Sequence, residues 1–177
     1  MKNAKHVMNT SLFDGFSSPE LKNYLEFLLW HYRVADAFWF LYVEEAFGQQ
    51  AAEKINERVW ANAAGMAARD IRKRFGIEQK GLKGFAMTQK LFPWSIIIGY
   101  EYEEKDDELI LSVPRCAPQA ARLAKGMPEF FCREMHCAEF KNFAAAFDDR
   151  IQVECLFSPP DPHPTDMFCR WRFTVQE

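Results

Sequence analysis

The run from Ser18 to Gly48 constrains this chain most. Apolar residues recur there at Leu21, Leu25, Leu28, Leu29, Tyr32, Ala35, Trp39, Tyr42, Val43 and Phe47, a spacing of three and four that predicts one long helix. Ser18-Pro19-Glu20 supplies the start: a hydroxyl N-cap, proline in the first turn and an acid beside it. The apolar surface covers more than one face, so the helix is expected to be central or shared with a second subunit, and a homodimer follows from that reading. His31, Arg33, Asp36, Glu44 and Glu45 interrupt the run. A membrane-spanning helix rarely tolerates so many charges, so no membrane role is expected.

A second helix is predicted from about Gln50 to Phe75, with Ile55, Val59, Ala63, Met66, Ala67 and Ile71 on its apolar face and Gly76 as C-cap. A short helix follows at Leu82–Leu91. The period then changes: Ser95–Glu103 and Glu108–Val113 read as a β-hairpin with a charged tip at Glu104–Asp107. Helical spacing returns over Pro118–Lys125 and Glu129–Phe147. Two last strands, Ile151–Phe157 and Phe168–Val175, flank the proline-rich loop Ser158–Asp166. The expected architecture is α+β, a helical N-terminal half packed on a roughly four-stranded antiparallel sheet with further helices. Residues 1–17 read as a loose arm. Residues 18–177 read as one domain, helical over 18–92 and mixed over 93–177.

Composition narrows the function classes. Hydrophobic residues make up 49% and charged residues 27%, a globular balance. The 17 Phe, 5 Trp and 5 Tyr suffice for a large core or an apolar cavity. With 22 Lys+Arg against 25 Asp+Glu the net charge is -3, which argues against nucleic acid as a partner. The start lacks an apolar signal region, and five cysteines are an odd number; both point to reduced thiols in the cytoplasm. There is no GxGxxG, Walker or GxSxG motif, so neither a nucleotide cofactor nor a serine nucleophile is expected.

The cysteines carry the most specific chemistry. Ile151, Val153, Cys155 and Phe157 share one face of their strand, as do Cys169, Trp171, Phe173 and Val175 in the next. If the connecting loop centres near Pro162, Cys155 and Cys169 face each other on the buried side, Cβ atoms about 4.5–5.5 Å apart. Cys132 opens a helix, where the dipole favours thiolate. Cys132, His136 and Glu139 project from one face of that helix. Cys116 lies at a strand end and His163 in the proline-rich loop. Thiol and imidazole ligands suit zinc or iron, so Cys116, Cys132, Cys155 and Cys169, with His163 in reserve, form a candidate metal set. The opposing reading is that the thiols are small core hydrophobes, since no CxxC pair is present. His136 reads more readily as a hydrogen-bonded histidine than as a ligand.

Asp36, Phe40 and Glu44 form a stripe on the first helix. Acids in apolar surroundings either pair or line a polar cavity with a raised pKa suited to general acid–base work. Arg33 and Arg69 are the partners expected in the first case.

Val34-Ala35-Asp36-Ala37-Phe38-Trp39-Phe40, Val43-Glu44-Glu45-Ala46-Phe47-Gly48, Val59-Trp60 and Gln119-Ala120-Ala121-Arg122 resemble an uncharacterised family of prokaryotic cytosolic proteins. So do the Cys132–Glu139–Phe143 spacing and Pro159-Pro160-Asp161-Pro162-His163-Pro164 followed by Cys169-Arg170-Trp171. That family is more distantly similar to L-2-amino-thiazoline-4-carboxylate hydrolase-like proteins and to 4-vinyl-reductase-type small-molecule-binding domains. The resemblance implies a dimeric α+β domain with a ligand cavity near the cysteines, at Asp36, Trp39, Glu44, Cys116, Cys132, Glu139, Cys155, His163 and Cys169. Ser158 departs from it, standing where members often carry a further cysteine. Three functions follow: a metal-binding protein; a hydrolase of a small cyclic amide or thiazoline with Asp36 or Glu44 as base, Cys132 as nucleophile and Glu139 in support; and a non-catalytic binder of a small apolar ligand, with Trp39 and Trp171 in its pocket. The binding protein, with or without metal, is the preferred expectation.

Overall fold

A computed structural model describes residues 8–176. A short 3₁₀ turn, Ser11–Gly15, precedes helices α1 (Ser18–Phe47), α2 (Gln49–Phe75), α3 (Gly81–Gln89) and α4 (Pro93–Ile98). Strands β1 (Glu101–Glu104) and β2 (Glu108–Val113) follow, then α5 (Ala117–Ala124), α6 (Arg133–Ala144), β3 (Ile151–Phe157) and β4 (Cys169–Val175). The strands form one antiparallel sheet in the order β1-β2-β4-β3. The class is α+β. The expected arm is structured where it is described: Phe13 and Phe16 pack on Tyr24 at 5.0 and 6.2 Å between ring centroids. Residues 1–7 of that arm lie outside the described residues.

Helix α1 starts one residue earlier than its sequence signal. Ser17 is the N-cap, its side chain paired with Glu20 in a capping box. Gly48 separates α1 from α2 at φ 84°, a conformation that favours glycine. Gly76 ends α2 in the left-handed region at φ 61°.

The buried face of α2 is not the one its large residues mark. Ala52, Asn56, Trp60, Ala64, Gly65, Ala68 and Ile71 face inward, whereas Val59 and Met66 are 42% and 66% exposed. Small residues let α6 approach closely: a Cβ on Gly65 would stand 3.3 Å from the Asn142 carbonyl oxygen. Close packing selects small side chains where two helices meet, and bulk carries no such information.

The sheet's inner face and α3, α6 and α2 enclose an aromatic core. Phe85 stacks near Phe173 at 4.6 Å, Phe140 meets Trp171 at 5.2 Å, and Phe92 meets Phe143 at 5.4 Å. The last two are edge-to-face pairs, which add directional energy to area burial.

Three local expectations are corrected. The segment predicted as a strand over Ser95–Glu103 is α4 followed by a short β1. Pro93 initiates the helix and Gly99 ends it in the left-handed region, which overrides the β-branched run Ile96-Ile97-Ile98. The helix predicted over Glu129–Phe147 is only α6. Finally, Cys155 pairs with Trp171, and Cys169 pairs with Val113 of β2. A bulge between Cys155 and Phe157 shifts the register, and the pairing centre differs from the one assumed at Pro162.

Candidate functional site

A cavity of about 370 Å³ opens between α1, α5, α6 and the end of the sheet. Helix α1 contributes Arg33, Val34, Asp36, Ala37, Phe40 and Leu41; α2 contributes Asn56 and Trp60; α4 contributes Trp94 and Ile98. Tyr100 and Val113 come from the first hairpin, and Cys116, Gln119 and Arg122 from the start and body of α5. Cys132, Met135, His136 and Glu139 line it from one face of α6, with Phe168 and Cys169 closing the far side. Exposed Ala37 of α1 and Ala121 of α5 mark the mouth.

Polar groups in this apolar chamber are few and mostly tied. Arg122 spans to Glu44 with two hydrogen bonds of 2.9 and 3.2 Å and donates a third, 2.9 Å, to the Pro128 carbonyl. Gln119, fully buried, donates to the Phe130 carbonyl at 2.9 Å and accepts from the Phe130 amide at 3.1 Å. Glu139 is 2% exposed, and the Nδ1 of His136 lies 2.7 Å from its Oε2, imidazole N–H to carboxylate.

Two groups stand apart. Asp36 has no hydrogen-bond or ion-pair partner among the described residues. Its burial, and then the nearby negative charge of Glu139, push its carboxyl from 3.8 up to about 6. The indole N–H of Trp94 is buried without a well-aligned acceptor, with the Tyr32 hydroxyl as its polar neighbour. A half-buried carboxyl without a partner in an apolar cavity is costly unless something else satisfies it.

The thiols divide. Cys116, Cys132 and Cys169 line the cavity, whereas Cys155, set across from Trp171, does not. Cys132 Sγ lies 3.5 Å from the hydroxyl of Ser158. Burial raises Cys116 to about 12 and Cys132 to about 11, and pushes Cys169 well up. Desolvation therefore opposes the helix-end effect expected at Cys132 and holds the thiol protonated, unlike a nucleophile or metal ligand. Among the described residues, no three His, Cys, Asp or Glu side chains are placed to hold a metal ion. His163, the reserve ligand, is engaged instead: Nε2 lies 3.1 Å from Glu129 and the ring packs on Phe168.

The remaining candidates separate from the cavity. Glu44 is locked to Arg122. Trp39 is 39% exposed on the outer side of α1, and Trp171 is fully buried in the aromatic core; neither lines the cavity. Trp60, Trp94, Gln119 and Arg122 were missed as site residues. Arg122 had a signal, a cationic side chain within the Gln119–Arg122 motif. Trp94 had another, since Phe92-Pro93 is a helix start that turns the indole inward.

Fold and site define an α+β domain with an aromatic-lined cavity walled by a long apolar helix. A family model described as "Family of unknown function (DUF6125)" matches residues 17–175, and the chain belongs to that family. No curated protein matches the sequence. No helix among the described residues is long and apolar enough to cross a membrane.

Proposed function

We propose that this protein binds an apolar small molecule carrying one hydrogen-bonding head group. The observation that carries the reading is the unpaired Asp36 carboxyl in an otherwise apolar cavity. About 370 Å³ falls within the roughly 300–1,000 Å³ range of small-molecule sites, which are mostly apolar with a few placed polar groups. A head group that donates to Asp36, an alcohol or an amine, satisfies it. The five free cysteines suit a reducing compartment, so the reading includes the cytoplasm.

A hydrolase of a cyclic amide or thiazoline is the second reading. Asp36, half-charged near pH 6, is a workable general base. Against it, Cys132 is held protonated and hydrogen-bonded to Ser158 and Gln119, and the only other deeply buried acid named for it, Glu139, is committed to His136. The binding reading needs no such nucleophile and is preferred.

Calorimetric titration with decanol and decylamine tests it. Saturable binding of either that disappears in Ala37→Trp, where the bulk blocks the mouth, is the expected result. Equal heats in the wild type and in Ala37→Trp would remove the cavity as the site.

A further inference from the structure

Helix α1 is 30 residues long and buries none of them. Only its inner side meets the domain, through Phe40 on Phe130 and Tyr32 on Trp60 and Trp94. Along the adjoining side runs Leu21, Leu25, Leu28, Tyr32, Ala35, Trp39 and Tyr42, spaced alternately by four and three residues, with Tyr32 on the edge shared with the inner side. That is a strict 3.5-residue period, the a/d seam of a left-handed helix pair. Its six large members are exposed by 37, 58, 41, 37, 39 and 62%, in chain order. Elsewhere around the helix Phe27, Trp30, Phe38 and Phe47 are exposed by 49, 53, 52 and 73%.

Side chains of this size, each about half exposed, leave on the order of 1,000 Å² of apolar surface around this one helix, roughly half of it on the seam. A lone soluble domain rarely shows more than a few hundred. Each partner in a standard stable interface buries roughly 800 Å². The patch carries few charges, Lys22, His31 and Glu45 on its flanks, so it does not select a partner of opposite charge. A seam of constant period is complementary to a copy of itself, as a two-fold interface demands.

We propose that this seam is the contact with a second copy of the chain, and that the contact holds α1 in place as the cavity wall. The two faces of α1 are coupled by rigidity. Arg33, Asp36 and Phe40 look into the cavity, while the seam holds the same helix from outside. Without a partner, α1 rests on its partly buried contacts and the Arg122–Glu44 pair alone, and it opens locally more often. The inference stands whether or not a ligand is bound.

Light scattering with alkylation mapping tests both parts. Wild-type protein at micromolar concentration should show twice the 20.7 kDa chain mass. Leu25→Glu/Leu28→Glu, which touches no cavity residue, should show the single mass with helical content retained. Iodoacetamide should then label Cys132, 4% exposed, about tenfold faster in that variant than in the wild type. A wild-type monomer, or a double variant that remains a dimer, overturns the interface. A monomeric variant with unchanged Cys132 labelling overturns the coupling to the cavity. Should that variant not fold, Tyr42→Lys at the other end of the seam must give the same mass shift, and a dimeric Tyr42→Lys refutes the seam.

Discussion

Arg122 of α5 grips Glu44 of α1 with two hydrogen bonds, 2.9 and 3.2 Å, across 78 residues of sequence. The side chains are 8% and 16% exposed, so this pair is desolvated, unlike the surface pairs elsewhere on the domain. Breaking one half leaves a buried charge without its partner. Glu44→Gln should destabilise by about 3 kcal/mol, whereas Arg122→Met/Glu44→Leu, which removes both charges, should recover most of that loss. Urea denaturation of the wild type and both variants measures both numbers. Equal losses in single and double variants would show that the pair is not the element holding α1 to α5.

Asp36 gives stability a pH dependence of defined sign. Unfolded, it titrates at its ordinary value of 3.8; folded, near 6. Between those values the folded chain binds the proton more tightly, so this residue's contribution to stability falls as pH rises from about 4 to 6 and is flat above. Asp36→Asn should abolish that slope and raise stability at pH 8 by about 1 kcal/mol, the two-unit limit of about 3 kcal/mol being reduced by the partial exposure of the group. Thermal melts at pH 4, 6 and 8 read it directly.

Gly84 of α3 is there because nothing larger fits. A Cβ would stand 2.1 Å from the backbone oxygen of Gln79 and 3.1 Å from Phe147. Backbone cannot yield as a flexible side chain can, so Gly84→Ala should cost about 2–3 kcal/mol. Gly65→Ala, whose Cβ would meet the Asn142 oxygen at 3.3 Å, needs only a small shift and should cost about 1 kcal/mol or less. The ranking by chemical denaturation is the check.

The thiols should behave as core residues. At pH 8, alkylation followed by peptide mass spectrometry should label Cys137 and Cys155 before Cys132 and Cys169, which are 4% and 5% exposed. Burial and raised thiol pKa both slow the reaction. Dialysis against a chelator should leave the melting temperature unchanged. Fast labelling of Cys132, or a chelator-induced loss of structure, would return the cysteines to the centre of the chemistry.

Much of the fold was legible because its signals are local. The capping residues of α1, the αL glycine after α2 and the alternation in β3 and β4 all act within a few residues. The failures involve distance. Ile96-Ile97-Ile98 favours a strand by propensity, yet Pro93 and Gly99 bracket a helix. In α2 the sequence showed large apolar residues, while the buried face was set by how closely α6 approaches. The Cys155–Trp171 pairing depended on a bulge that alternation does not announce. At the site, the acid on α1 and the Cys132/His136/Glu139 face of α6 were readable as spacing. Trp60, Trp94, Gln119 and Arg122 come together only through tertiary packing, and that is why the cavity's aromatic lining and its tied polar rim were not.

The central claim is that the cavity holds an apolar small molecule against Asp36. Native mass spectrometry of protein purified without added ligand, for the wild type and for Ala37→Trp, tests it most directly. The account predicts a non-covalent adduct on the wild type, extractable into organic solvent, that is missing from Ala37→Trp. A wild-type chain that flies bare, and that takes up neither decanol nor decylamine at saturating concentration, would contradict it.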